Sequence, residues 1–251
     1  MPRLVSFRLA LACALALLLV LPTAAATARG PAVNLRVVGA AGKVLAQRTV
    51  FTGAVSLKTS PKATCLGAGT GGSGKKVTVK GSTALGVLAK ASKAVQALRP
   101  LQTTDHFRAE FGLGLCGVGR SRSNSKRSWY LKVNHKDPQR GGEQVKVRAG
   151  DEVLWALEPY PYPEELVLSA PNAVKAGRPF TVKVTAYDDA GKHKPAVGVT
   201  VKGASEPTGA DGKATVVLSR PTVLQATADG AIPSNRVSIC IGNLECPAAT
   251  R

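Results

Sequence analysis

Aromatic side chains make up only 4% of this sequence, acidic residues number 15 against 34 lysines and arginines, and there are just three histidines. So few aromatics argue against a stacking platform for nucleic acid, which presents a ring to each successive base. His106, His135 and His193 stand apart in polar or turn-like stretches, none at the i, i+4 spacing of a helical zinc site, and each reads as a solvated side chain. No serine occupies a nucleophile elbow. The neighbouring carboxylates Glu164 and Glu165, like Asp188 and Asp189, point apart on an extended chain instead of converging on one bond, so they read as surface charge. Gly69-Thr70-Gly71-Gly72-Ser73-Gly74-Lys75-Lys76 approaches a phosphate-binding loop, but Lys76 replaces the magnesium-holding hydroxyl and a strand, not a helix, follows. No catalytic residue, metal ligand or cofactor is expected.

Long apolar runs are also scarce. The one present, Leu9 to Leu21, follows Arg3 and Arg8 and ends in Ala24-Ala25-Ala26-Thr27-Ala28, the order of a cleavable signal peptide over residues 1–28. It is shorter than the roughly 20 residues that span a bilayer, so cleavage is expected and no transmembrane anchor remains. Cys13 goes with the signal. Four cysteines are left, an even number that in an oxidising compartment reads as two disulfides. Cys65 and Cys116 flank the expected helix and are assigned to one pair; Cys240 and Cys246 close a short loop and form the other.

What is present is β-rich. Val33 to Val38 and Lys43 to Val50 read as a hairpin around Gly39-Ala40-Ala41-Gly42. A helix is predicted from Ser82 or Thr83 to about Leu98, with Leu85, Leu88, Ala91, Val95 and Leu98 on one face and Pro100 as the stop. Alternation from Phe107 to Leu115 predicts a half-buried strand, and Trp129 to Val133, Gln144 to Val147 and Val153 to Leu157 predict three more. Prolines at 159, 161 and 163 predict a stiff linker with few contacts across it. Beyond it, strand-like runs at Leu166–Ser169, Phe180–Tyr187, Gly198–Lys202, Ala214–Leu218, Thr222–Ala228 and Arg236–Ile241 indicate an immunoglobulin-like sandwich. The expected organisation is mainly β: signal peptide 1–28, a β-grasp-like α+β module with one helix at 30–158, a linker at 159–163 and a β-sandwich at 164–251.

Charge is uneven. Lys75 to Arg148 holds 16 basic residues against four acidic ones, a net +12, while the second module is nearly neutral. Such a field attracts anionic polymers and weakens with salt. Arg122, Lys126 and Arg127, just before the Trp129 strand, are the candidate polyanion contacts; wall polyanions are the expected partner class, with nucleic acid not expected. Charge kept for solubility alone is the competing reading.

Trp129-Tyr130-Leu131-Lys132-Val133-Asn134, followed by Gly150-Asp151-Glu152-Val153-Leu154-Trp155, resembles the transcobalamin-like C-terminal family. Its members carry Trp-aromatic-x-x-Val-Asn-Gly and then Gly-Asp-x-(Val/Ile)-x-(Trp/aromatic). His135 stands where the family usually has the turn glycine. The resemblance implies a β-grasp-like fold, a ligand-binding ancestry and candidate ligand residues Trp129, Tyr130, Asn134, Asp151 and Trp155. In vertebrate carriers such a module covers one face of a corrinoid together with a helical barrel, which has no counterpart in these 251 residues. On strand alternation Trp129 and Trp155 also read as core, and Asp151 as a turn acceptor. Ala176 to Val182 and Thr208 to Ala214 are similar to bacterial immunoglobulin-like envelope repeats. The expected function is a secreted or loosely envelope-associated, non-catalytic binding or scaffold protein, its ligand surface on the first module and its second module a spacer. Alternatives are an extracellular carrier of a small ligand such as a corrinoid, and an adhesin that binds wall polyanions.

Overall fold

The computed structural model describes residues 30–242 together with Cys246 and Pro247. The signal peptide lies outside the described residues. The architecture is mainly β. Strands β1 (Ala32–Val38) and β2 (Val44–Phe51) form the expected hairpin, and β3 (Val55–Lys58) pairs with β4 (Lys76–Val79). Helix α1 (Ala84–Ala94) starts at Thr83, whose hydroxyl accepts from the Gly86 N–H at 3.2 Å. Satisfying a first-turn amide in this way is the usual function of a threonine N-cap. Val95 leaves helical geometry, and a 3₁₀ turn carries the chain to the fully buried Leu98.

The expected strand at 107–115 does not form. After β5 (Leu101–Thr104) the chain makes a single helical turn, α2 (Arg108–Phe111), broken at Gly112 with φ +79°, before β6 (Gly114–Val118) and β7 (Ser121–Arg122). Long-range contacts override the alternation. Glu143 accepts two bonds from the Arg108 guanidinium, at 2.6 and 3.1 Å, and a third from the Leu113 amide at 3.0 Å. Likewise Gln144 to Val147 forms no strand: Gln144 closes a turn by donating its amide to the Gly141 carbonyl at 2.8 Å, and Lys146 makes an isolated antiparallel bridge to Thr83. Its neighbourhood closes the start of α1: the amides of Leu85 and Ala84 donate to Gly142 and Val145 carbonyls at 2.9 Å. Those amides have no partner within their own helix, and this backbone supplies one.

Strands β8 (Ser128–Val133) and β9 (Glu152–Glu158) complete a four-stranded sheet in the order β2-β1-β9-β8, with β1 and β9 parallel and both flanking pairs antiparallel. On β1, β8 and β9 the odd-numbered residues (Leu35, Val37, Leu131, Val153, Trp155) face α1 in one apolar core. Even-numbered ones point the other way, where Val38, Tyr130, Leu154 and Ala156 pack with Ile232. Covering on both faces is what makes Val153 to Leu157 a continuous apolar run instead of an alternating one.

The rest of the chain builds a second core. Strands β10 (Glu165–Ser169), β11 (Ala173–Val174), β12 (Pro179–Tyr187), β13 (His193–Pro195), β14 (Thr200–Val201), β15 (Lys213–Val217), β16 (Thr222–Leu224), β17 (Ala226–Thr227) and β18 (Val237–Ile241) form several small sheets around Leu168, Val184, Val216, Leu224 and Ile239. Both disulfides are as assigned, Cys65–Cys116 and Cys240–Cys246.

The proline segment does not keep the two cores apart. Tyr162, inside it, stacks on Tyr130 with ring centres 3.8 Å apart. Arg36 donates to the carbonyls of Leu166 and Pro233, at 3.1 and 2.9 Å, and forms an ion pair with Glu165, which is only 2% exposed. Lys132, with no exposed side-chain surface, donates to the carbonyls of Tyr187 and Asp188 at 3.2 and 2.9 Å. Gln47 exchanges two bonds with the backbone of Arg236. The expectation of few contacts across the linker is therefore corrected. Prolines remove donors, but they leave flanking side chains free to pack.

Candidate functional site

Strand β8 ends the sheet, and its outer side opens on a cleft of about 580 Å³. Trp129, Tyr130 and Trp155 all line it, and Phe107, Phe111 and Leu66 stand exposed along it. Glycines shape the wall. A side chain at Gly142 would meet the Trp155 ring at 2.6 Å, and one at Gly141 would meet the Phe111 carbonyl oxygen at 1.8 Å. Polar groups at the cleft include Asp137, Arg140, Ser123 and Asn124.

The two tryptophans differ. Trp155 donates its indole N–H to the Ala84 carbonyl at 3.3 Å and so is tied to the helix. Trp129, 9% exposed, keeps its indole Nε1 buried and unpartnered. A buried donor left without an acceptor costs on the order of 1–3 kcal/mol. Tyr130 donates its hydroxyl to Asp189 at 2.5 Å; burial first, and this bond second, push its phenol well above the ordinary range, so it stays protonated.

Asn134 and Asp151 lie away from the cleft lining. Asn134 (φ 50°) and His135 (φ 68°) are both left-handed and make a two-residue turn closed by bonds between Val133 and Lys136. That is the turn an Asn-Gly pair favours, adopted here with histidine in the second position. Asn134 donates to Asp151 at 2.9 Å and accepts from the Glu152 amide, and Asp151 accepts from the Arg148 amide. Both residues hold the turns at the far end of β8 and β9.

Arg122, Lys126 and Arg127 are exposed, and Asn124 fixes the connection that carries the last two by accepting from both their amides. The glycine-rich loop is closed on a carboxylate: Ser73 donates its amide and hydroxyl to Asp105 at 2.7 and 2.6 Å.

The pattern of the sequence missed the groups at the junction. His135 is half-buried, stacked on Tyr187 at 4.0 Å, with Nδ1 3.2 Å from Glu165 and Nε2 3.5 Å from Glu152. Glu165, expected on the surface, is buried. Burial raises its pKa, but the His135 contact and the charges of Arg36 and Lys132 outweigh this and hold it below the usual carboxylate value. Arg36, His135, Glu152 and Glu165 line a cavity of about 270 Å³. The signal available was Tyr162 within the linker, an aromatic ring that stacks on Tyr130, whereas its neighbour Tyr160 is 83% exposed. A larger hollow of about 990 Å³ beside Pro159, Pro161 and Pro163 has no aromatic lining.

Among the described residues no group of His, Cys, Asp and Glu could hold a metal ion, and no helix is long and apolar enough to cross a membrane. No protein-family model, curated protein or solved structure matches this chain.

Proposed function

We propose that this chain is an exported, non-catalytic binding protein whose ligand surface is the cleft along β8, with the C-terminal half serving as a bracket that covers the opposite face of the same sheet. The observation that carries this is a cleft at the sheet edge lined by Trp129 and Trp155 from one face and Tyr130 from the other, beside exposed Phe107 and Phe111. An apolar concavity with a few polar groups is the usual form of a binding site. The sheet order β2-β1-β9-β8, with a parallel central pair and α1 across one face, supports a β-grasp-like reading of the first half and with it the resemblance to the transcobalamin-like family. Several small antiparallel sheets around one core support the immunoglobulin-like reading of the second. Two disulfides support export. The test is a screen of small aromatic fragments against the full chain, followed by amide chemical shifts. Hits should map to Trp129, Tyr130 and Trp155. Hits confined to the Arg36–Glu165 cavity or to the C-terminal half would refute the proposal.

A second reading rests on the exposure of Arg122, Lys126 and Arg127 beside the cleft. In it the chain binds wall polyanions. Binding of a model polyanion such as polyglutamate should then fall steeply with salt, since exposed charges are screened beyond about 8 Å at physiological ionic strength. Changing all three residues to Glu should weaken it further.

A further inference from the structure

The outer edge of β8 offers more than ring surfaces. In an antiparallel pair, alternate residues turn their N–H and C=O groups toward the partner strand, and those between turn them away. Here the Asn134 amide donates to the Glu152 carbonyl, which makes the even-numbered residues of β8 the ones bonded to β9. Val133 confirms the phase: its N–H and C=O bond outward, to Lys136 beyond the turn. Two and four residues earlier, Leu131 and Trp129 must therefore turn their backbone groups away from β9, and both residues line the cleft. With β8 last in the sheet, no strand among the described residues pairs with them there.

We infer that the cleft takes a single extended polypeptide segment, which adds to the sheet by pairing with the outward backbone groups of Trp129 and Leu131. This rests on the proposed location of the binding site and specifies its ligand. A second copy of the chain is a poor occupant, because the edge is recessed behind Gly112, Leu113 and Gly114 and the Phe111 turn, and a β8 set in its own cleft could not reach another. A free strand could. Its side chains would meet apolar surface, since Phe107, Phe111 and Leu66 are 37%, 66% and 50% exposed. Its flanks would meet positive charge: Arg140 lines the cleft, and residues 120–140 carry six exposed Lys and Arg, Lys132 being buried on the other face, against a single acidic residue, Asp137. The fitting segment is apolar at its centre and acidic at its ends. Main-chain bonds supply affinity in such strand addition, and side-chain pockets supply selectivity.

The probe is a displayed library of random twelve-residue peptides, selected on the full chain. Enriched peptides should alternate apolar residues between Asp or Glu flanks. In a synthetic copy, N-methylation of every second amide, those facing β8, should lower affinity at least tenfold, and methylation of the intervening amides should leave it unchanged. Hydrogen exchange at Trp129 and Leu131 should slow at least tenfold in the complex. The inference is overturned if no peptide is enriched, if methylation shows no alternation, or if protection appears elsewhere. Aromatic fragments that bind the cleft when no peptide does would sink this inference and leave the proposed site standing; peptides that protect only the C-terminal half would sink both.

Discussion

The two faces of the four-stranded sheet are covered by different chemistry. Against α1 the contacts are aliphatic and aromatic, made by Leu35, Val37, Leu131, Val153 and Trp155. Toward the C-terminal half the same strands present Arg36 and Lys132 beside Tyr130, and those polar groups are satisfied by partners more than 50 residues away in the chain. Apolar burial is non-directional and tolerates adjustment, whereas a buried charge accepts only the geometry that pairs it. The first face makes the fold stable; the second fixes how the halves are set.

Breaking the polar face should have the largest effect. Glu165→Leu leaves the Arg36 guanidinium buried without its carboxylate, a change that costs roughly 3–5 kcal/mol, while the double variant with Arg36→Met should recover much of the loss. Urea unfolding of the single and double variants measures both; similar small losses in the two would show that the junction is incidental. Comparable in size is the staple on the apolar side. Removing Cys65–Cys116, which closes 51 residues, should cost about 4 kcal/mol, against about 2 kcal/mol for Cys240–Cys246, which closes six. Melting each Cys→Ser pair separately tests the ranking. A smaller step is Thr83→Ala, which frees the Gly86 amide at the start of α1 and should cost about 1 kcal/mol, with Thr83→Ser nearly neutral.

The smallest expected effect is one of pH. Burial raises the Glu158 carboxyl from its ordinary 4.5 to about 7, opposed in part by Arg127. Between those values the folded chain holds a proton that the unfolded chain has released, so this group's contribution to stability falls as pH rises. At a partly exposed position the loss is on the order of 1 kcal/mol after screening. Glu158→Gln should match the parent chain near pH 4.5 and exceed it at pH 8. A gap that is independent of pH would contradict the burial account.

Much of the fold follows from local pattern. The first hairpin, the helix after Thr83, β8, β9, most of the later strands and both disulfides lie where periodicity, capping and cysteine spacing put them. Local pattern failed at 107–115 and 144–147, where Glu143 and the start of α1 recruited the backbone from a distance. It failed again at Glu165, which pairs with Arg36 from 129 residues earlier, and at His135, which stacks on Tyr187 from the other half of the chain. Of the candidate ligand residues, the aromatic ones share one cleft while Asn134 and Asp151 serve turns. What no side-chain pattern carries is the direction of the Trp129 and Leu131 backbone groups, because that depends on which strand ends the sheet.

Amide hydrogen exchange on the unliganded chain tests this directly, residue by residue along β8. If its outer edge is open, Trp129 and Leu131 should exchange at least tenfold faster than Tyr130 and Lys132, whose amides are bonded to β9. Uniformly slow exchange from Trp129 to Lys132 would mean that the edge is already covered, and would contradict the account.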